Sequence, residues 1–211
     1  MVEAQTDSET GIIPVLEPRR LPPYERIIEV ARELFCRDGI HATGIDRILT
    51  EASASKMTLY GRFGSKEALV REVLTREGAE WRQTFFALVE AAGPDPAERL
   101  AAVIPALRTW FEGDRFYGCA FMNAAAEHTK GGPKGSPSGE PWLRDMTAQH
   151  HAAILAFLAA LARDAGFADP PMLARQILLV LDGAIIALMV SGDPMVLDVA
   201  GRNLRAVLRA G

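Results

Sequence analysis

Between Ser53 and Lys66 the chain sets Lys56, Arg62 and Lys66 beside Tyr60 and the hydroxyls of Ser55 and Thr58, in a stretch too polar to be core. That mixture suits a surface that grips nucleic-acid phosphates and reads base edges. A lysine near a helix start adds its ammonium to exposed backbone N–H groups, so Lys66 is expected on phosphate. Thr43, Ser55 and Tyr60 can each place a hydroxyl on the backbone as well. Lys56, Thr58 and Arg62 are expected at base edges, Arg62 most naturally at guanine. Met57 is counted with this face, and Gly61 lets the helix backbone come close to the phosphates. Phe63 is expected to pin the segment to the core.

A second set of residues stands as polar or aromatic groups on apolar stripes. His150 lies near the centre of a stripe made by Leu143, Met146, Ile154, Phe157 and Leu161, and Cys119, Met122 and Asn123 form another with Glu127 at its edge. With Trp81, Phe85 and Trp110 as aromatic walls, the expected small-molecule pocket is lined by Trp81, Phe85, Trp110, Cys119, Met122, Asn123, Glu127, Met146 and His150. The same spacing suits His150 and Asn123 as satisfied buried polar groups, and the aromatics as ordinary core. No metal-ligand spacing is present, so no metal and no cofactor are expected.

The elements that must position these groups are helices. In 211 residues of which 49% are hydrophobic and 24% charged, no segment alternates as a strand would. About nine helices can be traced, the first over 23–39, short ones to about 52 and over 56–63, and a long fourth from Ser65. A fifth is predicted over about 97–112, a sixth over 119–129, a seventh over 141–165 and an eighth over 171–191, before a last one near the end. Residues 1–21 read as a mobile acidic arm with neither the charged start nor the apolar run of an export signal, and 131–140 as a flexible loop. The apolar run from Ile177 to Val190 is short of a bilayer span and is interrupted by Asp182, so no membrane segment is expected. Two distant cysteines fit a reducing cytoplasm. The net charge is −4, yet from Arg19 to Lys66 basic side chains outnumber acidic ones, so the first third is locally basic.

Three short helices with a tight break between the second and third form the helix-turn-helix arrangement. Leu34-Phe35, Gly39, Thr43, Ser53, Thr58-Leu59-Tyr60, Phe63 and Lys66-Glu67 occur in the order found in the DNA-binding module of the tetracycline-repressor-like (TetR) regulators, which residues 31–74 resemble. Two positions depart from that pattern. Ser53 stands where glycine is usual and must take its backbone conformation at some strain, and Ala54 replaces a larger apolar residue.

The resemblance implies an all-α protein with a helix-turn-helix domain over 22–66 and an effector-binding and dimerisation domain over 67–211. It implies a repressor that binds palindromic double-stranded DNA as a homodimer and is released by its effector. The eighth helix is apolar on nearly every face, with Gly183 and Ala184 allowing close approach, which points independently to a dimer through the last two helices. Leu178, Leu181, Ile185, Leu188 and Leu204 are the expected contacts. An α-helical enzyme is the competing class, but Gly-x-Ser-x-Gly, Gly-x4-Gly-Lys-Ser/Thr, His-Glu-x2-His and dinucleotide fingerprints are all missing. A constitutive or architectural DNA binder without a ligand is the other alternative.

Overall fold

The computed structural model describes residues 21–113, 116–128 and 140–210, and among these it holds ten α-helices and no strand. Apart from Leu21 and Glu140, the acidic arm expected over 1–21 and the loop expected over 131–140 lie outside the described residues. The first helix, α1 (Pro23–Asp38), starts on a proline at a position that needs no N–H donor, and ends at Gly39, whose φ of 92° few other residues adopt. Its apolar side chains recur at helical spacing, so Ile27, Ile28, Ala31, Leu34 and Phe35 all turn inward.

The helices α2 (Ile45–Glu51) and α3 (Lys56–Phe63) follow, and α4 (Lys66–Glu90) begins where Ser65 accepts a hydrogen bond from the Ala68 N–H. Leu69, Val70, Val73 and Leu74 of α4 close one hydrophobic core with α1–α3, to which Phe121, Ala124 and Leu143 also contribute. Those last three belong to α7 (Ala120–His128) and α8 (Pro141–Asp164). The far half of α4 joins a second core with α8, α5 (Pro96–Ala101), α6 (Val103–Phe111), α9 (Pro170–Ser191) and α10 (Met195–Ala210).

The single helix predicted over 97–112 is in fact two, because the chain bends at Ala102. Pro105 is the physical reason. It has no N–H to donate to the carbonyl four residues back, and its ring crowds that carbonyl.

The expected dimer contacts are corrected by the structure. Leu178, Leu181, Ile185, Leu188 and Leu204 are each at most 7% exposed, buried in the protomer's own second core. On α9 the outward stripe is instead Leu179, Gly183, Ile186 and Val190, with Leu179 and Val190 75% and 83% exposed. A helix apolar all round gives no periodic signal of which side is inward, so spacing alone chose the wrong one. By length and composition α9 could cross a membrane, yet Leu173, Ile177, Leu181, Ile185 and Leu188 pack against α8 and its other neighbours in a mixed helical core.

Candidate nucleic-acid interface and effector cavity

The turn between α2 and α3 sets the aim of the third helix. Ser53 takes a left-handed φ of 47°, the one positive φ outside glycine among the described residues, so the strain expected of a serine in the glycine position is present. Arg26 clamps this turn from α1: its Nε donates to the Ala52 carbonyl at 2.8 Å and its Nη2 to the Ser53 carbonyl at 2.9 Å. No spacing rule pointed to Arg26, because its partners lie far along the chain. Ser55 then caps α3 by accepting from the Thr58 N–H at 3.1 Å, and the two hydroxyls lie 3.0 Å apart.

Leu59 faces inward from α3 at 0% exposure and Phe63 packs partly against the same core, while Lys56, Met57, Tyr60, Gly61 and Arg62 stand outward. Met57 is 84% exposed, an unusual state for methionine on a helix otherwise anchored by its apolar residues. Lys56 pairs with Asp46 of α2 at 2.8 Å, and the guanidinium of Arg62 lies over the Tyr24 ring, 5.3 Å from its centroid. Both are exposed pairs that bound phosphate or a base edge could replace at small cost.

Two expected DNA contacts are turned elsewhere. Thr43 is fully buried, and its hydroxyl donates inward to the carbonyls of Gly39 at 2.7 Å and Leu34 at 3.3 Å, so it offers nothing to a phosphate. The Lys66 ammonium donates to the Ile40 carbonyl at 2.6 Å. Burial lowers its pKa below the usual lysine range, only partly offset by nearby Glu127. Lys66 therefore fastens the turn after α1 to the start of α4.

Glu127 works on that same turn and lies outside the two cavities described next. Its carboxylate accepts from the Ile40 N–H at 3.0 Å and the His41 N–H at 2.8 Å, linking α7 to the loop that follows α1. Asn123 is likewise spent, its Nδ2 donating to the Tyr117 carbonyl at 2.9 Å. Met146 packs against the first core, and neither it nor Met122 lines the cavities described next. Met122, Asn123 and Glu127 stay out of those cavities because α7 lies against α1 and α4, a placement its own periodicity could not indicate, while Met146 sits on α8 against the first core.

A cavity of about 490 Å³ lies between α1, α4 and α6, lined by Arg32, Glu33, Cys36, Glu77, Glu80, Trp81, Thr84, Phe85, Leu88, Thr109, Trp110, Gly113 and Tyr117. Trp81, Phe85 and Trp110, three of the residues named as pocket walls, line this cavity. Trp81 stacks on Phe85 at 4.6 Å and meets Trp110 edge-on at 5.5 Å. A narrow cleft shares Glu77, Trp81 and Trp110 with this cavity and runs inward to Cys119, His150, His151 and Asp182. Within it the indole N–H of Trp81 and the Nε2 of His151 have no hydrogen-bond partner, a cost that a polar ligand atom would remove.

His150 is buried between Phe121, stacked at 4.3 Å, and Trp81. Phe121 reaches it because Gly78 leaves room: a Cβ there would come within 2.7 Å of the Phe121 ring. Burial, aided by the Arg82 and His151 charges, depresses the His150 pKa to about 3, so the ring is neutral. Arg82 donates to its Nδ1 at 2.8 Å, which leaves the ring proton on Nε2. Burial pushes the Cys36 thiol up to about 12 and raises that of Cys119, which makes both poor nucleophiles. Asp182, too, is held above the usual carboxylate range by burial, partly offset by His151. Among the described residues there is no cluster of side chains able to hold a metal.

Comparison with known proteins gives a consistent picture. The sequence model described as "Bacterial regulatory proteins, tetR family" matches residues 27–73. The chain is 37% identical over 61 residues to the HTH-type transcriptional regulator QacR of Staphylococcus aureus, covering 29% of this chain and 32% of QacR. It is 35% identical over 88 residues to the HTH-type transcriptional regulator LmrA of Bacillus subtilis, covering 41% and 46%. The chain thus spans from 32% to 46% of the length of these relatives. Solved structures match over far more. SCO4454, a TetR-family transcriptional regulator from Streptomyces coelicolor, aligns with a TM-score of 0.78 at 26% identity, covering 89% of this chain and 95% of that one. Reduced NemR of E. coli shares the fold, with a TM-score of 0.74 at 19% identity over 88% and 97%.

Proposed function

Because the chain belongs to the TetR family of bacterial regulatory proteins, we propose that it is a homodimeric transcriptional repressor with no catalytic activity, released from a palindromic operator by a small molecule. The reading rests above all on α3. A capped helix, aimed by a clamped turn, presents Lys56, Met57, Tyr60 and Arg62 outward with Gly61 between them. Arg62 would leave the Tyr24 ring for a guanine edge, Met57 would meet a thymine methyl, and Tyr60 and Lys56 would hold phosphate or base. Residues 22–66 then act as the reading unit and 67–211 as the sensing and pairing unit of a soluble cytoplasmic protein.

Pairing through α9 and α10 is supported by the exposed stripe Leu179, Gly183, Ile186 and Val190, flanked by Met172, Met195 and Val199. Gly183 has open space where a Cβ would stand, as a crossing helix needs. A two-fold dimer sets two third helices about one helical turn (~34 Å) apart, and so reads a palindrome. The cavity of about 490 Å³ favours a sensor over a constitutive binder, whose interior would need no such space. Selection from a pool of random duplexes tests the proposal: enrichment of a palindrome supports it, and recovery of unenriched DNA contradicts it.

A further inference from the structure

We propose that the cavity between α1, α4 and α6 takes a flat aromatic cation, which binds by displacing the guanidinium of Arg32 from Glu77 and Glu80. The inference rests on the effector-responsive reading above and names the class of its effector. Arg32 comes from α1, in the DNA-reading unit, and already occupies the site as a built-in cation. It is hydrogen-bonded to Glu77 and lies 2.6 Å from Glu80. Among the described residues it is the one arginine or lysine lining the cavity, against the carboxylates of Glu33, Glu77 and Glu80. Glu33 is engaged by Arg37 at 3.0 Å, so Glu77 and Glu80 together leave one negative charge that Arg32 does not balance.

The walls fit the same ligand. Trp81 and Trp110 stand edge to face beside these carboxylates, and an indole face is the strongest aromatic partner for a cation. A free anion would meet uncompensated carboxylates, and a neutral aromatic would gain the ring contacts without the charge. The arrangement also supplies a route to the DNA head. Three ion pairs join α1 to α4, Arg32 with Glu77 and with Glu80, and Glu25 with Arg76 at 2.5 Å. A ligand that takes the carboxylates of Arg32 leaves α1 held to α4 by Glu25–Arg76 and by the core the two helices share. Because the two cations compete for one pair of carboxylates, ligand binding and release of the Arg32 side chain are linked.

The test is calorimetric titration of the DNA-free protein with three probes of one shape: N-methylacridinium, acridine and anthracene-9-carboxylate, at about pH 8, where acridine is uncharged. The cation should bind about tenfold or more tighter than acridine, and the anion should not register. Arg32→Gln should tighten the cation about tenfold by removing its competitor, and Glu80→Gln should weaken it by a similar factor, with thermal melts reporting that each variant is folded. The inference is overturned by equal binding of the neutral or anionic probe, by no cation binding up to about 1 mM, or by an Arg32→Gln protein that binds the cation no more tightly. Failure of the repressor reading would appear elsewhere, as loss of sequence-specific DNA binding by the unliganded protein.

Discussion

The third helix and the ninth differ in how they divide their residues between inside and outside. On α3 the division follows chemistry: Leu59 is buried and Phe63 half-buried, while Lys56, Met57, Tyr60 and Arg62 stand out, so residue type nearly decides direction. On α9 it does not. Ile185 is 2% exposed and its neighbour Ile186 43%, although the two side chains are identical. An amphipathic helix declares its orientation in its sequence, whereas a uniformly apolar one takes it from the partners that cover it.

Adjacent isoleucines offer the sharpest way to break that contrast. Ile185→Arg should bury an unpaired charge and cost about 4 kcal/mol or more, seen as loss of the cooperative thermal transition. Ile186→Arg should leave each protomer folded and abolish the dimer, read by sedimentation. A monomer from the first with native stability, or an intact dimer from the second, would reverse the assignment of the two faces.

His150 sharpens the account of the interior. Its folded pKa of about 3 lies below the ordinary value near 6.5, so the unfolded chain takes up the proton first. The stability this contributes is complete above about pH 6.5 and is lost as pH falls toward about 3, by up to about tenfold in the unfolding constant per pH unit. His150→Gln should therefore fall less steeply than the native protein across that window in urea titrations. Parallel curves would mean that the ring is not held neutral.

A smaller effect belongs to the turn before α3. Ser53→Gly should relieve the left-handed backbone and gain up to about 1 kcal/mol in chemical denaturation, less the extra freedom glycine gives the unfolded chain. A loss of stability would mean that Arg26 and the serine backbone fit each other better than glycine does.

Much of the fold could be read in advance because caps and breaks are local: Ser55, Ser65, Gly64 and Asp169 stand at the termini their residue types favour. The outward face of α3 proposed to read DNA was legible for the same reason. What stayed hidden depends on contacts distant in sequence. Lys66, Thr43 and Glu127 look available in the sequence, but the turn after α1 takes up all three. Arg32 meets Glu77 across 45 residues, and no periodicity relates them. The break at Ala102 was local and could have been found from Pro105.

The most direct measurement of the central claim is the base preference of α3, determined by duplex selection with the native protein and with Met57→Ala and Arg62→Ala. Each variant should relax the preference at its own position in both half-sites, by about 1–3 kcal/mol for Arg62→Ala, while preferences elsewhere stay as they were. Identical preferences in all three proteins would contradict the assignment of α3 as the helix that reads DNA.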